Sequence, residues 1–152
     1  MRINKDILFF FSRQNFTIVS TIDQDGRPHS SCKAIVKFGS DGMIYLLDLY
    51  KGKTFENLKR NPNISITAVD EHKFKGYSLK GTAKIIESKE LDSDLKEKWE
   101  NNIVSRITQR ILKNLKGGKA QWRHPESLLP TPKYLIAVEI KDVIDLTPPT
   151  LK

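Results

Sequence analysis

The stretch Lys51-Gly52-Lys53-Thr54-Phe55-Glu56-Asn57-Leu58-Lys59-Arg60-Asn61-Pro62 places a cation and a hydroxyl where a helix begins. The first turn of a helix leaves its N–H groups unpaired and carries the positive end of the helix dipole, so an anion is favoured there. Lys53 would add a charge and Thr54 a further donor, and a phosphate is the ligand class that fits. The same residues also read as a solvated helix start with Thr54 as its N-cap. The segment alone leaves both readings open. Gly52-Lys53-Thr54 is not a nucleoside-triphosphate P-loop, because that motif needs a glycine five positions before Gly52 and the chain has Leu47 there.

Other reactive residue types form no recognised constellation. His29, His72 and His124 share no metal-ligand spacing with one another, with Cys32 or with a carboxylate, so no metal site is expected. Cys32 is the only cysteine, which rules out an intrachain disulfide and fits a reducing, cytoplasmic setting. It reads as a small half-buried residue, and no serine, histidine and acid order suggests a hydrolase. The loop Lys119-Ala120-Gln121-Trp122-Arg123-His124-Pro125 interleaves a ring with cations. Such a loop can cover a flat ligand or pair an acidic substrate, and equally can pack at a subunit boundary or form a basic surface.

A formal charge of +8 favours anionic partners in general: nucleic acid, a membrane surface or a phosphorylated small molecule. The apolar residues come in short runs between dispersed charges, a globular pattern that excludes a disordered chain. Ile7-Leu8-Phe9-Phe10-Phe11 is too short to span a bilayer and no signal-peptide cleavage site follows it. The length of 152 residues suits a single soluble domain over 1–152.

The elements that must position these residues follow from periodicity. Asn4 to Gln14 forms a short amphipathic helix, and Phe16 to Asp23 alternates as a strand. After a turn at Gln24-Asp25-Gly26, His29 to Phe38 alternates again, with Cys32, Ala34, Val36 and Phe38 on one face and Ser31, Lys33, Ile35 and Lys37 on the other. Asp41-Gly42 turns the chain into a third strand, Met43 to Asp48. A short helix over Gly52 to Asn61 stops before Pro62, because the residue before proline leaves the helical region. Ile64 to Val69 and Tyr77 to Ile86 are strands, the second with a bulge or close approach at Gly81. The stripe Leu91, Leu95, Trp99, Ile103, Ile107, Ile111 and Leu115 predicts a helix that curves or breaks near Asn101-Asn102 and ends at Gly117-Gly118. Tyr134 to Ile140 closes the set. The fold class is mainly β: six strands with flanking helices, closing as a small antiparallel barrel.

The order Gly26-Arg27-Pro28-His29, Asp41-Gly42-Met43-Ile44-Tyr45, Lys53-Thr54 with Asn57-Leu58 and Asn61-Pro62, then Gly76-Tyr77 through Gly81-Thr82-Ala83, resembles the pyridoxamine 5′-phosphate oxidase-like flavoproteins. The match runs over Phe16 to Glu87 and more loosely the last strand. The resemblance implies a six-stranded split barrel that forms a homodimer, with FMN in a cleft between subunits. It further implies that Lys53 and Thr54 grip the phosphate, and that the isoalloxazine lies along strands two and three at Ser31, Cys32, Lys33, Ala34, Leu46 and Leu47. Split-barrel relatives divide between FMN and the deazaflavin F420, so F420 is the alternative cofactor. His29, Trp122 and Arg123 are the candidates for substrate or rim contacts. Ser31 stands where authentic pyridoxamine phosphate oxidases carry a strand-two arginine, and Lys33 is the cation that would compensate for it. The tail Leu146-Thr147-Pro148-Pro149 lacks that enzyme's substrate-gripping arginine and histidine, so an oxidoreductase with another substrate is expected. Two rivals are a flavin-binding protein without turnover and a basic five-strand OB-like module tracking nucleic acid. The exposed faces of strands two and three lack the paired aromatics the last one needs.

Overall fold

The computed structural model describes residues 2–39, 41–48, 50–87 and 134–152, together with the single positions 93, 97 and 101. Its elements run α1 (Lys5–Ser12), β1 (Thr17–Ile22), β2 (Pro28–Phe38), β3 (Met43–Asp48), α2 (Lys53–Arg60), β4 (Asn63–Asp70), β5 (Lys75–Glu87) and β6 (Tyr134–Asp145), then a 3-10 turn at Pro149–Leu151. The strands close into a barrel in the order β1-β2-β3-β6-β5-β4, every neighbouring pair antiparallel. Closure removes the exposed sheet edges that would otherwise template pairing with another chain. It also excludes the five-strand alternative, because β6 pairs with both β3 and β5 and completes the wall.

Alternation decides which side chains fill the barrel. Val19, Ile44, Leu46, Ile66, Leu79, Ile136, Val138 and Ile140 are completely buried and come from five of the six strands. Helix α1 starts at Asn4, whose Oδ1 accepts the N–H of Asp6, and sinks Phe11 into the core while Phe10 meets Tyr77 edge-on. In the β1–β2 turn the Asp23 carboxylate accepts the N–H groups of Asp25 and Arg27, and Gly26 takes the left-handed φ of 76° that this turn requires.

Two strands depart from simple alternation. The β2–β3 register slips between Ile35 and Lys37, so Ile35 faces Leu46 and Phe38 faces Ile44, while Lys37 turns out and lies over the ring of Tyr45. Strict alternation had placed Phe38 with Cys32 and Ala34. The bulge adds a residue and reverses the faces beyond it, so Phe38 packs against the core instead. In β5 the register shifts between Lys80 and Gly81, where a Cβ would lie 2.1 Å from the carbonyl oxygen of Glu139, which is the close approach the glycine signalled. β6 continues five residues beyond Ile140, pairing with β5 through the exposed Lys141 and Asp142, which interrupt the hydrophobic alternation, and then through the half-buried Val143 and Ile144.

The β4–β5 hairpin turns through 71–74, and Phe74 holds a left-handed φ of 49° with its ring two thirds exposed. A side chain there costs about 1–2 kcal/mol, part of which glycine would return through its greater unfolded-state freedom. Phe74→Gly is therefore expected to raise unfolding stability by roughly 0.5–1 kcal/mol. Urea melts with an unchanged or lower midpoint would show that the ring contributes more than its exposure suggests.

Ser93, Glu97 and Asn101 are helical and exposed. The remainder of the expected 91–115 helix, its stop at Gly117-Gly118 and the loop with Trp122 and Arg123 lie outside the described residues. No helix among the described residues is long and apolar enough to cross a membrane.

Candidate functional site

The segment between β3 and β4 forms the helix expected of it, α2, eight residues beginning at Lys53. Its N-cap is Gly52, whose backbone is extended, and no side chain caps the first turn. Thr54 is thus not the N-cap: it is the second residue of the helix, buried, with Oγ1 2.9 Å from Oγ of Ser31 on β2. Asn57, one turn later on the same helix face, is fully buried and donates from Nδ2 to Thr21 Oγ1 at 3.0 Å. Its Oδ1 has no partner among the described residues. Threonine and asparagine together lash α2 to β1 and β2, which leaves the helix start facing outward with its N–H groups uncapped.

Four cations lie on or beside α2, and three are engaged. Lys51 reaches Glu87 at 3.2 Å and lies over the ring of Phe55, where Lys59 also sits. Arg60 donates to the carbonyl of Ile22 at 2.7 Å. Lys53 has only a 3.9 Å approach to Glu56, and its side chain is 43% exposed. Nearby, the Asp23 carboxyl is held below its usual range, chiefly by the N–H of Arg27, with the charges of Lys53 and Arg60 adding. An incoming anion would find Lys53 the cation most free to meet it.

The residues expected along the ring divide between the two faces of the sheet. Ser31 and Lys33 point to the inner side with Ile35, whereas Cys32 is exposed on the outer side, opposite the exposed Ile18 of β1. Ala34 and Leu47 pair directly across β2 and β3 and are half-buried, so they also belong to the outer face. Leu46 is completely buried in the core and its strand is paired on both sides, which leaves it no free surface for a ligand. His29 is half-buried opposite Thr21, two residues from Ser31 on the same face.

Lys33 does not stand free as a substitute for the missing arginine. Its Nζ lies 2.8 Å from Asp48 Oδ1 with both side chains largely buried. The other oxygen of Asp48 accepts a hydrogen bond from the Tyr134 hydroxyl, which also approaches the carbonyl of Tyr50 at 3.4 Å. Burial first, and then the hydrogen bond and charge of Asp48, push the Tyr134 phenol far above its ordinary value, so it stays a neutral donor. Lys33 thus neutralises Asp48 rather than an external anion.

Asp48, Asn57 and Tyr134 were not among the residues expected from sequence. A signal existed for Asp48: alternation puts it on the same inward face as Ile44 and Leu46, where a carboxylate requires a partner. Asn57 follows Thr54 at helical spacing. Nothing local marks Tyr134, which reaches Asp48 across 86 residues. No group of three or more His, Cys, Asp or Glu among the described residues could hold a metal.

No curated protein matches the chain. Among solved structures it is similar to HupZ from Group A Streptococcus, with 19% identity over 95% of this chain and 94% of that one and a TM-score of 0.65. It is also similar to HutZ, the heme storage protein from Vibrio cholerae, with 20% identity over 95% and 94% and a TM-score of 0.56. An F420 reductase matches at 12% identity over 93% and 98%, TM-score 0.56. At these identities the likeness is one of fold. The family model described as pyridoxamine 5′-phosphate oxidase matches residues 3–143. With that match spanning nearly the whole chain, on a closed six-stranded antiparallel barrel, the protein belongs to the pyridoxamine 5′-phosphate oxidase family.

Proposed function

We propose that this chain, acting as one domain over 1–152, binds FMN and serves as a flavin-dependent oxidoreductase whose phosphate seat is Lys53 at the start of α2. One observation supports this above the rest: a helix start without a side-chain cap, lashed to the barrel from beneath, presents a half-exposed cation whose ion pair, with Glu56, is a loose one at 3.9 Å. The donor set fits a phosphate. Backbone N–H groups of the first turn and the Lys53 ammonium supply hydrogen-bond donors and positive charge, and the Ser31–Thr54 hydroxyl pair adjoins them. Cys32, Ala34 and Leu47, small or apolar and on the outer face, suit a flat ring. The outer apolar strip that includes Ile18 suits a second copy of the chain, completing the cofactor cleft in a cytoplasmic homodimer.

Bound flavin would supply hydride or electron transfer; the residues of this chain hold it, orient it and neutralise its phosphate. Pyridoxal phosphate formation is not proposed, since Ser31 replaces the strand-two arginine and Lys33 is engaged by Asp48.

The visible spectrum of freshly purified protein tests the cofactor, followed by mass identification of what denaturation releases. Flavin bands and FMN support the proposal. Release of F420 would transfer it to the deazaflavin, and a Soret band with heme would replace it. Lys53→Ala is expected to weaken FMN binding about 10- to 100-fold, the loss of one charge-assisted contact. An unchanged dissociation constant by fluorescence titration would remove Lys53 from the seat.

A further inference from the structure

We infer that Tyr134 is the positioning residue of the anion seat and sets the preference for a phosphorylated over an unphosphorylated flavin, an inference that rests on the phosphate reading of Lys53. Tyr134 opens β6 and lies in register between Asp48 of β3 and Glu87 of β5. These are the residues from which the cations around the seat are held: Asp48 binds Lys33 and Glu87 binds Lys51. The hydroxyl of Tyr134 donates to Asp48 and approaches the Tyr50 carbonyl, so it fastens the chain just before Lys51-Gly52-Lys53. Its ring meets Phe55 edge-on, with centroids 4.8 Å apart and planes at 68°, and so fastens the chain just after Lys53.

One side chain therefore grips both flanks of the segment that carries Lys53. Gly52, the N-cap between those grips, has nothing within 4 Å of where a Cβ would stand and is tied to the helix through its carbonyl, which accepts the N–H of Glu56 at 3.2 Å. Its position depends on what holds its neighbours. Losing the hydroxyl would cut the tie of Asp48 and Tyr50 to β6, leaving Asp48 held by Lys33 and Tyr50 by its N–H to Asp48 at 3.3 Å, while the ring still packs on Phe55. The expected consequence is a misplaced Lys53 and first turn, felt by a phosphate and not by a ring bound along β2 and β3.

The test is the dissociation constant of FMN and of riboflavin, each measured by fluorescence titration, for the parent and for Tyr134→Phe. FMN binding should weaken about tenfold, as expected for one hydrogen bond to a charged group, while riboflavin changes less than twofold. Equal weakening of both ligands, or no change in either, would overturn the inference. Should Tyr134→Phe fail to fold, Phe55→Leu, which loosens the other grip, must produce the same selective loss or the inference falls. A parent that binds FMN no better than riboflavin would instead remove the phosphate reading of Lys53, and the inference with it.

Discussion

Asp48→Ala is expected to cost about 3–5 kcal/mol of unfolding stability, the range for stranding one member of a buried ion pair. The Lys33 side chain is only 10% exposed and its ammonium would lose its 2.8 Å partner, while the hydroxyl of the buried Tyr134 would lose its acceptor. Neither group can reach water without moving the β2–β3 wall or the start of β6. The cost belongs to the stranded partners more than to the lost attraction. The double variant Lys33→Met with Asp48→Asn removes both charges, and its amide keeps an acceptor for Tyr134. It should unfold within about 1 kcal/mol of the parent, since buried ion pairs seldom outweigh their own desolvation. If Asp48→Ala loses less than about 1 kcal/mol in urea melts, the pair is solvated in solution and the network does not stabilise the barrel.

Gly81→Ala should be nearly as damaging, about 3 kcal/mol, at the upper end for overpacking. The added methyl would stand 2.1 Å from the carbonyl oxygen of Glu139 and 2.9 Å from its carbon. Backbone cannot swing aside as a long side chain would. Relief requires parting β5 from β6 at the register shift, where the two longest pairing partners of the barrel change step. The contrast with Phe74→Gly is instructive: there a residue strains against its own φ in open solvent, here a residue would strain against a neighbouring strand. A parent-like thermal midpoint for Gly81→Ala would mean that the bulge relaxes at little cost and does not pin the register.

What the chain's local chemistry determined is the set of elements and their facing. Alternation in Met43–Asp48 and Asn63–Asp70 names the buried side without any knowledge of partners, because successive side chains in a strand must point to opposite faces. Gly26 and Gly42 mark turns because only glycine takes their φ easily. The helix over Lys53–Arg60, with its cation at the first turn, was legible for the same reason: dipole and unpaired N–H groups are properties of a few consecutive residues.

Only the tertiary structure decided how those residues are used. The bulge after Ile35 arises from pairing with β3, so the burial of Phe38 and the turning-out of Lys37 could not be read from β2 by itself. Likewise Lys33 and Asp48 could each be recognised as inward charges, yet whether Lys33 faces a ligand or a carboxylate depends on which strand lies beside it. Thr54 does not cap the helix, and that its hydroxyl lies against Ser31, 23 residues away, could not be read from the segment itself. Tyr134 is the extreme case, since its position between Asp48 and Glu87 exists only once β6 has closed the barrel. Periodicity is a local property, whereas partnership is fixed by loop closure and register, which no window of consecutive residues contains.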